Sequence, residues 1–197
     1  HVFTEADIET IDGYIGNFKT YLVHGKDRKN EEVEHGVIIV ATGACEYKPK
    51  EYMAGQDMSV ITQSEFEYLL NKTDEIKDKK TIVMIQCVGS RNEEHPYCSK
   101  MCCAEAIKNA LCAKELNPSA EIVILYRDIR TYGFKELYYR KARENGVVFI
   151  RYDEKNPPHV SRDGEWLKVE VENPKLGKVG IKADLLVLSV GIEAPAK

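Results

Sequence analysis

The sequence predicts an α/β fold in which a Rossmann-like parallel βαβαβ sheet, with an antiparallel β excursion, is inserted between strands of a second lobe. Three observations predict this class. Residues 81 to 152 alternate short apolar runs with stretches of helical periodicity, as parallel sheets with crossover helices do. From Trp166 the pattern changes to alternation broken by turn residues. Two apolar runs that end in glycine, IIVATG at Gly43 and LLVLSVG at Gly191, bracket both regions.

The parallel region starts at the apolar run Ile82 to Ile85, which has the length of a strand buried on both faces. Helical spacing of apolar residues then begins at Ser99. The predicted elements that follow are a helix (Ser99 to Leu116), a strand (Glu121 to Tyr126), a helix (Phe134 to Asn145) and a strand (Val147 to Tyr152). Tyr132, Tyr138 and Tyr139 are expected to pack the second of these helices on the sheet.

The flanking segments predict shorter elements. Before the parallel region, Ser64 to Leu70 predicts a short helix. After it, Trp166 to Val171 and Val179 to Lys182 predict an antiparallel pair, because turn residues separate them. The apolar run Ala183 to Gly191 then predicts a last strand that returns to the parallel sheet.

The first fifty residues predict a β-meander and one buried strand. Ile8 to Ile11 and Asn17 to Val23 alternate as short strands, and the polar segment His24 to His35 is predicted to be a turn or loop. Gly36 to Ala44 reads as a central strand covered on both faces. Its exit at Thr42 and Gly43 is either a close approach of backbone to a ligand or a plain turn.

These patterns predict four parts of the chain. Residues 1–50 are a remnant of the second lobe, 51–80 a connection, 81–183 the inserted Rossmann-like lobe, and 184–197 the strand that returns toward the second lobe. Because residue 1 is His rather than Met and the chain stops just after a strand, we expect the sequence to be part of a longer protein.

Charge and composition exclude several function classes. The 197 residues include 28 basic and 32 acidic side chains and carry a net charge of −4, so there is no electrostatic footprint for nucleic acid. No apolar segment approaches the roughly 20 residues that span a bilayer, and the first residues hold no signal-peptide core. We therefore expect a cytoplasmic protein without a membrane span.

Cysteine usage points to redox chemistry. Four of the six cysteines fall between Cys87 and Cys103, where a dinucleotide-binding protein has its glycine-rich loop. A strand-loop-helix unit presents unpaired N–H groups and the positive end of the helix dipole at this point, which favour a phosphate or a thiolate. The other two, Cys45 and Cys112, are expected to be small buried apolar residues.

Three roles are open for this cysteine segment. Cys98, Cys102 and Cys103 can supply ligands to an iron–sulfur cluster, although their spacing is not that of a complete site. Cys98 and Cys102, one helical turn apart at about 6 Å between Cα atoms, can form a redox disulfide. Alternatively Cys103 faces the core and has only a packing role.

Neighbouring polar residues leave similar alternatives. Ser90 and Arg91, beside Gly89, suit a phosphate or an acidic partner, or belong to a solvated loop. Arg127, Asp128 and Arg130 stand where a Rossmann protein selects a ribose hydroxyl or a 2′-phosphate, and a surface ion-pair ladder explains them equally well. His95 precedes Pro96 and is typical of a turn rather than a ligand.

The residues GYIGNF, IQCVGSR, YCSKMCC and ILYRDIRTYG resemble the A subunit of the heterodisulfide reductases, and the two bracketing strands resemble flavoproteins with two dinucleotide-binding domains. The resemblance implies an iron–sulfur flavoprotein that passes electrons between soluble donors and partner redox subunits. It places Thr42, Gly43 and Gly191 near FAD in the full-length protein, with Gly89, Ser90 and Arg91 as further cofactor-binding residues.

The chain lacks two motifs of the family pattern, and this limits which cofactors we expect it to bind by itself. It has no G-x-G-x-x-G and no C-x-x-C-x-x-C run, so we expect no tightly bound FAD or ferredoxin-type cluster in this segment alone. NAD(P)H remains a candidate ligand, although only Gly89 survives of the usual fingerprint. The competing functions are a pyridine-nucleotide-disulfide reductase-type NAD(P)H-binding domain and a non-catalytic scaffold that docks a partner subunit.

Overall fold

A computed structural model describes residues 1–72 and 74–195. The chain divides into two compact units, residues 1–43 and residues 44–197. Within the described residues, no helix is both long and apolar enough to cross a membrane.

The N-terminal unit is an antiparallel meander of three strands. They are β1 (Asp7–Tyr14), β2 (Asn17–His24) and β3 (Lys29–His35), in that spatial order. The first two confirm the sequence prediction, whereas the prediction of a loop over His24 to His35 is wrong. Charged side chains suit an exposed edge strand, and here Lys19 on β2 contacts both Glu32 and Glu34 on β3 at 2.9 Å.

The apolar run after this meander is not the buried central strand that the sequence predicts. Residues 37–43 have no regular secondary structure, and Ile39 and Val40 are 84% and 79% exposed. A central strand requires a hydrogen-bonded neighbour on each edge, and no described strand pairs with this segment. Apolar composition alone therefore does not create a strand here.

The second unit is built on a five-stranded parallel sheet, which confirms the predicted fold class. Its strands, in spatial order, are β5 (Val60–Thr62), β12 (Leu185–Val190), β6 (Thr81–Val88), β7 (Glu121–Tyr126) and β8 (Val148–Arg151). The last strand of this sheet along the chain, β12, lies between β5 and β6 and is parallel to both. The predicted return strand is thus part of this sheet.

Helices cover one face of the sheet. They are α1 (Gln63–Lys72), α2 (Cys102–Leu116) and α3 (Glu136–Glu144), with 3₁₀ turns at Glu75–Asp78 and Gly133–Lys135. Their apolar faces bury Met84, Ile122 and Ile124 from the sheet together with Ile107 and Ala110 of α2. Of the three tyrosines expected to pack α3, only Tyr139 does so, against Phe149, while Tyr132 and Tyr138 are exposed.

An antiparallel sheet covers the other face. It consists of β9 (His159–Asp163), β10 (Trp166–Asn173) and β11 (Gly177–Ala183), which bury Leu167 and Val169 against Val83 and Ile85 of the parallel sheet. This second cover explains why β6 and β12 are apolar at almost every position. The sequence predicts β10 and β11 but not β9, whose residues are mostly polar and exposed.

Two further details position the candidate site. A short ladder joins β4 (Cys45–Glu46) to β13 (Ile192–Glu193) just beyond the end of β12. Helix α2 begins at Cys102 rather than at Ser99 as the sequence predicts. Cys98 therefore lies in the loop before the helix rather than in its first turn, so helical spacing does not set its distance from Cys102, and a disulfide between them stays a prediction.

Candidate functional site

The candidate site lies at the carboxyl edge of the parallel sheet, in the loop of residues 89 to 101 between β6 and α2. Its backbone is unusually contorted, because Cys87, Arg91 and Lys100 all have φ values near +60°. Non-glycine residues rarely adopt this conformation, and such residues concentrate at functional sites. The loop therefore holds its side chains in positions that ordinary turns do not provide.

Four cysteines converge on this loop. Cys87 lies at the end of β6, Cys98 in the loop, and Cys102 and Cys103 in the first turn of α2, and all four are free thiols. The Cys102 thiol has a raised pKa because it hydrogen-bonds Cys103 and is buried, and the charges of Cys87 and Cys98 add to the effect. The Cys102 thiol is thus influenced electrostatically by each of the other three cysteines.

The two adjacent cysteines are polarised in opposite directions. Hydrogen bonding from Cys102 lowers the pKa of Cys103 to about 6, and Arg130 and Arg91 favour the thiolate further, against the effect of burial. The Cys103 thiol also lies 3.7 Å from the carbonyl oxygen of Asp128. The Cys102 hydrogen bond and the nearby arginines thus favour the thiolate form at Cys103 rather than at Cys102.

The opposite pKa shifts of Cys102 and Cys103 predict that one thiolate forms at a lower pH than the thiolate of an ordinary cysteine. In the metal-free full-length protein, ultraviolet thiolate absorbance should show a component that titrates below the usual range of cysteine. The Cys103→Ser variant should lose this component, and Cys112→Ser, which changes a cysteine farther along α2, should keep it. Identical titration curves for all three proteins would contradict the assignment.

The two cysteines outside this loop are not the buried apolar residues that the sequence predicts. Cys45 is exposed on β4, and Cys112 is only half-buried on α2. The short strand β4 pairs with β13 and has no cover over this side chain, which composition could not reveal.

Arginine side chains surround Asp128 on the other side of the loop. Arg91 pairs with Asp128 at 2.7 Å, and Arg151 and Arg130 approach the same carboxylate at 3.6 and 3.9 Å. The Arg91 hydrogen bond lowers the pKa of Asp128, so the carboxylate stays ionised. Arg127 donates to the Arg91 carbonyl at 2.9 Å and pairs with Glu154.

This network borders a polar cavity of about 340 Å³. The ion-pair network brings together four residues that the sequence analysis singled out, namely Arg91, Arg127, Asp128 and Arg130. Asp128 pairs with Arg91, and Arg127 pairs with Glu154, which matches the ion-pair alternative. Arg91 also donates to the Cys87 sulfur at 3.8 Å, so it links the network to the cysteine cluster.

The structure brings Gly89, Ser90 and Gly191 together but fills the space around them with protein. A Cβ atom on Gly89 would lie 2.0 Å from the Tyr47 ring, and one on Gly191 would lie 3.0 Å from the Ser90 Cβ. The N–H of Gly191 donates to Val88, and its carbonyl accepts from Tyr47. These glycines therefore allow close packing of the protein against itself.

His95 and Tyr47 complete this packed region. His95 Nδ1 lies 3.1 Å from the Gly89 carbonyl and Nε2 lies 3.5 Å from Glu193, while its ring lies between those of Tyr47 and Tyr97. These contacts agree with a structural role for His95. Tyr47 was missed by sequence reasoning, since it belongs to residues 1–50, the predicted remnant of the second lobe, and follows the last strand predicted there.

The remaining predicted cofactor residues lie in the N-terminal unit. Thr42 and Gly43 are exposed and belong to the segment without regular structure, and Gly43 has a φ of +73°. Their role next to a flavin stays a prediction.

Within residues 1–72 and 74–195, no group of three or more His, Cys, Asp or Glu side chains is arranged to hold one metal ion. A mononuclear site requires ligand atoms that meet around a single ion. An iron–sulfur cluster binds its thiolates at separate iron atoms, so this finding concerns mononuclear sites. The ligand roles of Cys98, Cys102 and Cys103 stay a prediction.

Comparison with known proteins identifies sequence relatives of this chain. The chain is 40% identical over 190 residues to the A subunit of the H(2)/formate:CoB-CoM heterodisulfide,ferredoxin reductase of Methanococcus maripaludis, covering 85% of this chain. It is 40% identical over 188 residues to the iron-sulfur A subunit of the CoB–CoM heterodisulfide reductase of Methanocaldococcus jannaschii, covering 84% of this chain. Over this span, the chain is homologous to the A subunit of the heterodisulfide reductases. No protein-family model matches it.

The homology covers a limited part of those proteins. The chain spans 28% of the length of both relatives. Among solved structures, it resembles the FAD-bound cadaverine monooxygenase DfoA of Erwinia amylovora, with a TM-score of 0.53 and 10% identity over 98% of this chain and 53% of that one. At this identity the structural likeness supports the fold alone, and the relationship to heterodisulfide reductases depends on sequence.

Proposed function

We propose that the chain is the inserted nucleotide-fold lobe of a cytoplasmic FAD- and iron–sulfur-containing oxidoreductase subunit, which passes electrons between a soluble donor and partner redox subunits. The observation that carries the proposal is the placement of four free cysteines at the end of β6, in the loop that follows it and in the first turn of α2. Homology to the A subunit of heterodisulfide reductases, which in Methanocaldococcus jannaschii is named an iron-sulfur subunit, supports it.

The donor set fits an iron–sulfur cluster. Cys98, Cys102 and Cys103, joined by Cys87, would hold it, since cysteine thiolates are the usual ligands of such clusters. The lowered pKa of Cys103 favours the ligating thiolate form, and Arg91 at Cys87 offsets the accumulated negative charge. A bound cluster supplies one-electron transfer. The protein's part is to hold the four sulfurs, bury two of them and place positive charge beside them.

In this proposal, the binding of FAD would depend on residues outside the second unit. The Gly191 N–H donates to the Val88 carbonyl, so this donor is not available to FAD, and the Gly191 carbonyl already accepts one hydrogen bond from Tyr47. Thr42 and Gly43 remain the candidate backbone contacts. We therefore place tight FAD binding in the full-length protein and expect little in this segment by itself.

The packing of Tyr47 on Gly89 favours one alternative over another. A dinucleotide bound in the usual way needs its phosphates to approach the loop glycine closely, and the Tyr47 ring already lies against Gly89 where a Cβ would stand. This contact disfavours an NAD(P)H-binding domain of the pyridine-nucleotide-disulfide reductase type. It is compatible with a scaffold that has lost nucleotide binding and docks a partner subunit.

Cluster content of the full-length protein tests the proposal. After anaerobic purification, the Cys98→Ser, Cys102→Ser and Cys103→Ser variants should lose the iron and sulfide of one cluster, and turnover should fall on the order of tenfold or more. Cys112→Ser provides the matched control, because this cysteine lies on the same helix outside the cluster, and it should retain full content. Unchanged iron, sulfide and turnover in all variants would leave the thiols with only a packing role and would favour the scaffold.

A further inference from the structure

Helix α3 presents a second apolar face that none of the described residues of the second unit covers. Its inner face is already filled, because Ala142 is fully buried and Tyr139 packs edge-on against Phe149 at 4.8 Å. Phe134, Leu137 and Tyr138 point elsewhere and are 89%, 54% and 59% exposed. Their spacing of three and four residues places them on one side of the helix and the turn that precedes it. We call these three residues the α3 patch.

A cavity of about 400 Å³ adjoins the α3 patch. Tyr138 belongs to both, and Ile107 and Leu111 of α2 supply further apolar lining. Lysine side chains, including Lys135 and Lys141, stand at the same cavity. An apolar pocket with charged residues around it is typical of a site that receives an anchoring side chain from a protein partner.

The charge around the α3 patch is opposite to that of the whole chain. Although the net charge is −4, residues 127 to 143 contain six basic and two acidic side chains. Of these, Arg127 pairs with Glu154, Asp128 with Arg91, and Arg140 with Glu144. Lys135, Lys141 and Arg143 belong to the surface around α3 and form no ion pair among the described residues. Local positive charge on an acidic protein favours an acidic partner, because it steers the encounter and fixes the orientation.

The α3 patch is also close to the cysteine cluster along the chain and in space. Ala104, which lines the cavity, follows Cys103 directly. On the other side, Thr131 lines the cavity three residues after Asp128, whose carbonyl contacts the Cys103 thiol at 3.7 Å. A protein seated on the patch would therefore stand next to the proposed redox centre.

We propose that the α3 patch docks a small acidic electron-transfer protein. An apolar side chain of this partner fills the cavity between α2 and α3, and its carboxylates face Lys135 and Lys141. The inference depends on the proposed electron-transfer function, since it assigns the surface through which a soluble carrier reaches the cysteine cluster.

Binding of an acidic ferredoxin to the full-length protein tests this inference. The double variant Phe134→Ser/Lys141→Glu should raise the Kd for the ferredoxin by about tenfold or more, and should flatten its dependence on salt concentration. The matched control is Leu176→Ser/Lys175→Glu on the exposed turn between β10 and β11, which makes comparable changes in charge and apolar surface. It should leave the Kd within about twofold, as expected of a surface change outside the interface.

Other outcomes would overturn the docking assignment. Equal effects of the two double variants would do so, as would a wild-type protein that binds anionic lipid vesicles through the α3 patch but not the ferredoxin. A lower unfolding temperature for the Phe134 variant with an unchanged Kd would show that the patch is covered by another part of the same protein. Iron and sulfide content, measured in parallel, separates the two proposals: a protein without a cluster contradicts the proposed function, whereas a normal cluster with unaltered ferredoxin binding contradicts only the docking site.

Discussion

The Gly89→Ala substitution is expected to destabilise the protein by about 2–4 kcal/mol. Two costs combine at this position. Gly89 has a φ of +66°, which an alanine adopts only with strain, and its new Cβ would lie 2.0 Å from Cδ1 of Tyr47. Because the Tyr47 backbone is tied to Gly191, the ring has little freedom to withdraw. Denaturant unfolding of the wild type and the variant measures the loss.

Gly133 offers a matched control. It has the same φ of +66°, but no atom lies within 4 Å of the Cβ that alanine would add. Gly133→Ala should therefore show only the backbone cost, about 1–2 kcal/mol. In a Tyr47→Ala background the cost of Gly89→Ala should fall toward that value. Equal losses for Gly89→Ala and Gly133→Ala would contradict the contact between Gly89 and Tyr47.

The Leu186→Ala substitution should cost about 2–5 kcal/mol of the free energy of unfolding. Leu186 is fully buried in β12, opposite Val60 on one neighbouring strand and Val83 on the other. Its side chain belongs to the core between the parallel sheet and the antiparallel sheet. Truncation leaves a cavity that the strands on both sides prevent from collapsing, so the loss should lie in the upper half of that range.

Leu176→Ala makes the same chemical change at a residue that is 69% exposed, in the turn between β10 and β11. Its effect should stay within about 0.5 kcal/mol, the usual range for surface substitutions. A thermal or denaturant unfolding series of the two variants checks the difference. If Leu186→Ala lowered the free energy of unfolding as little as Leu176→Ala, the buried position of β12 between β5 and β6 would be wrong.

Much of the second unit was predictable because its strands and helices have strong local signals. The apolar runs of β6 and β12 are covered on both faces, so their composition alone indicates parallel strands. Strands with weaker signals were missed: four of the seven residues of β3 are charged, and β5 has only three residues. The apolar run before Ala44 had the composition of a strand but has no pairing partner among the described strands, which composition cannot supply.

The candidate site was predictable in part for the same reason. The cysteines and the Arg127–Asp128 pair stand out in the sequence, since their residue types and spacing are uncommon. The contacts that define their environment join distant parts of the chain. Tyr47 reaches Gly89, and Arg91 reaches Asp128, across segments whose proximity follows only from the order of strands in the sheet.

The position of β12 also has a consequence for biosynthesis. The strand that separates β5 from β6 is the last of the sheet to leave the ribosome, and among the described strands β5 pairs only with β12. Until β12 emerges, the edge of β6 that it will pair with stays exposed, and only β6, β7 and β8 can form the nascent sheet. An exposed strand edge of this kind can pair with other chains. Long-range pairing of this kind slows folding, so the sheet should be completed only after residues 185 to 190 have emerged.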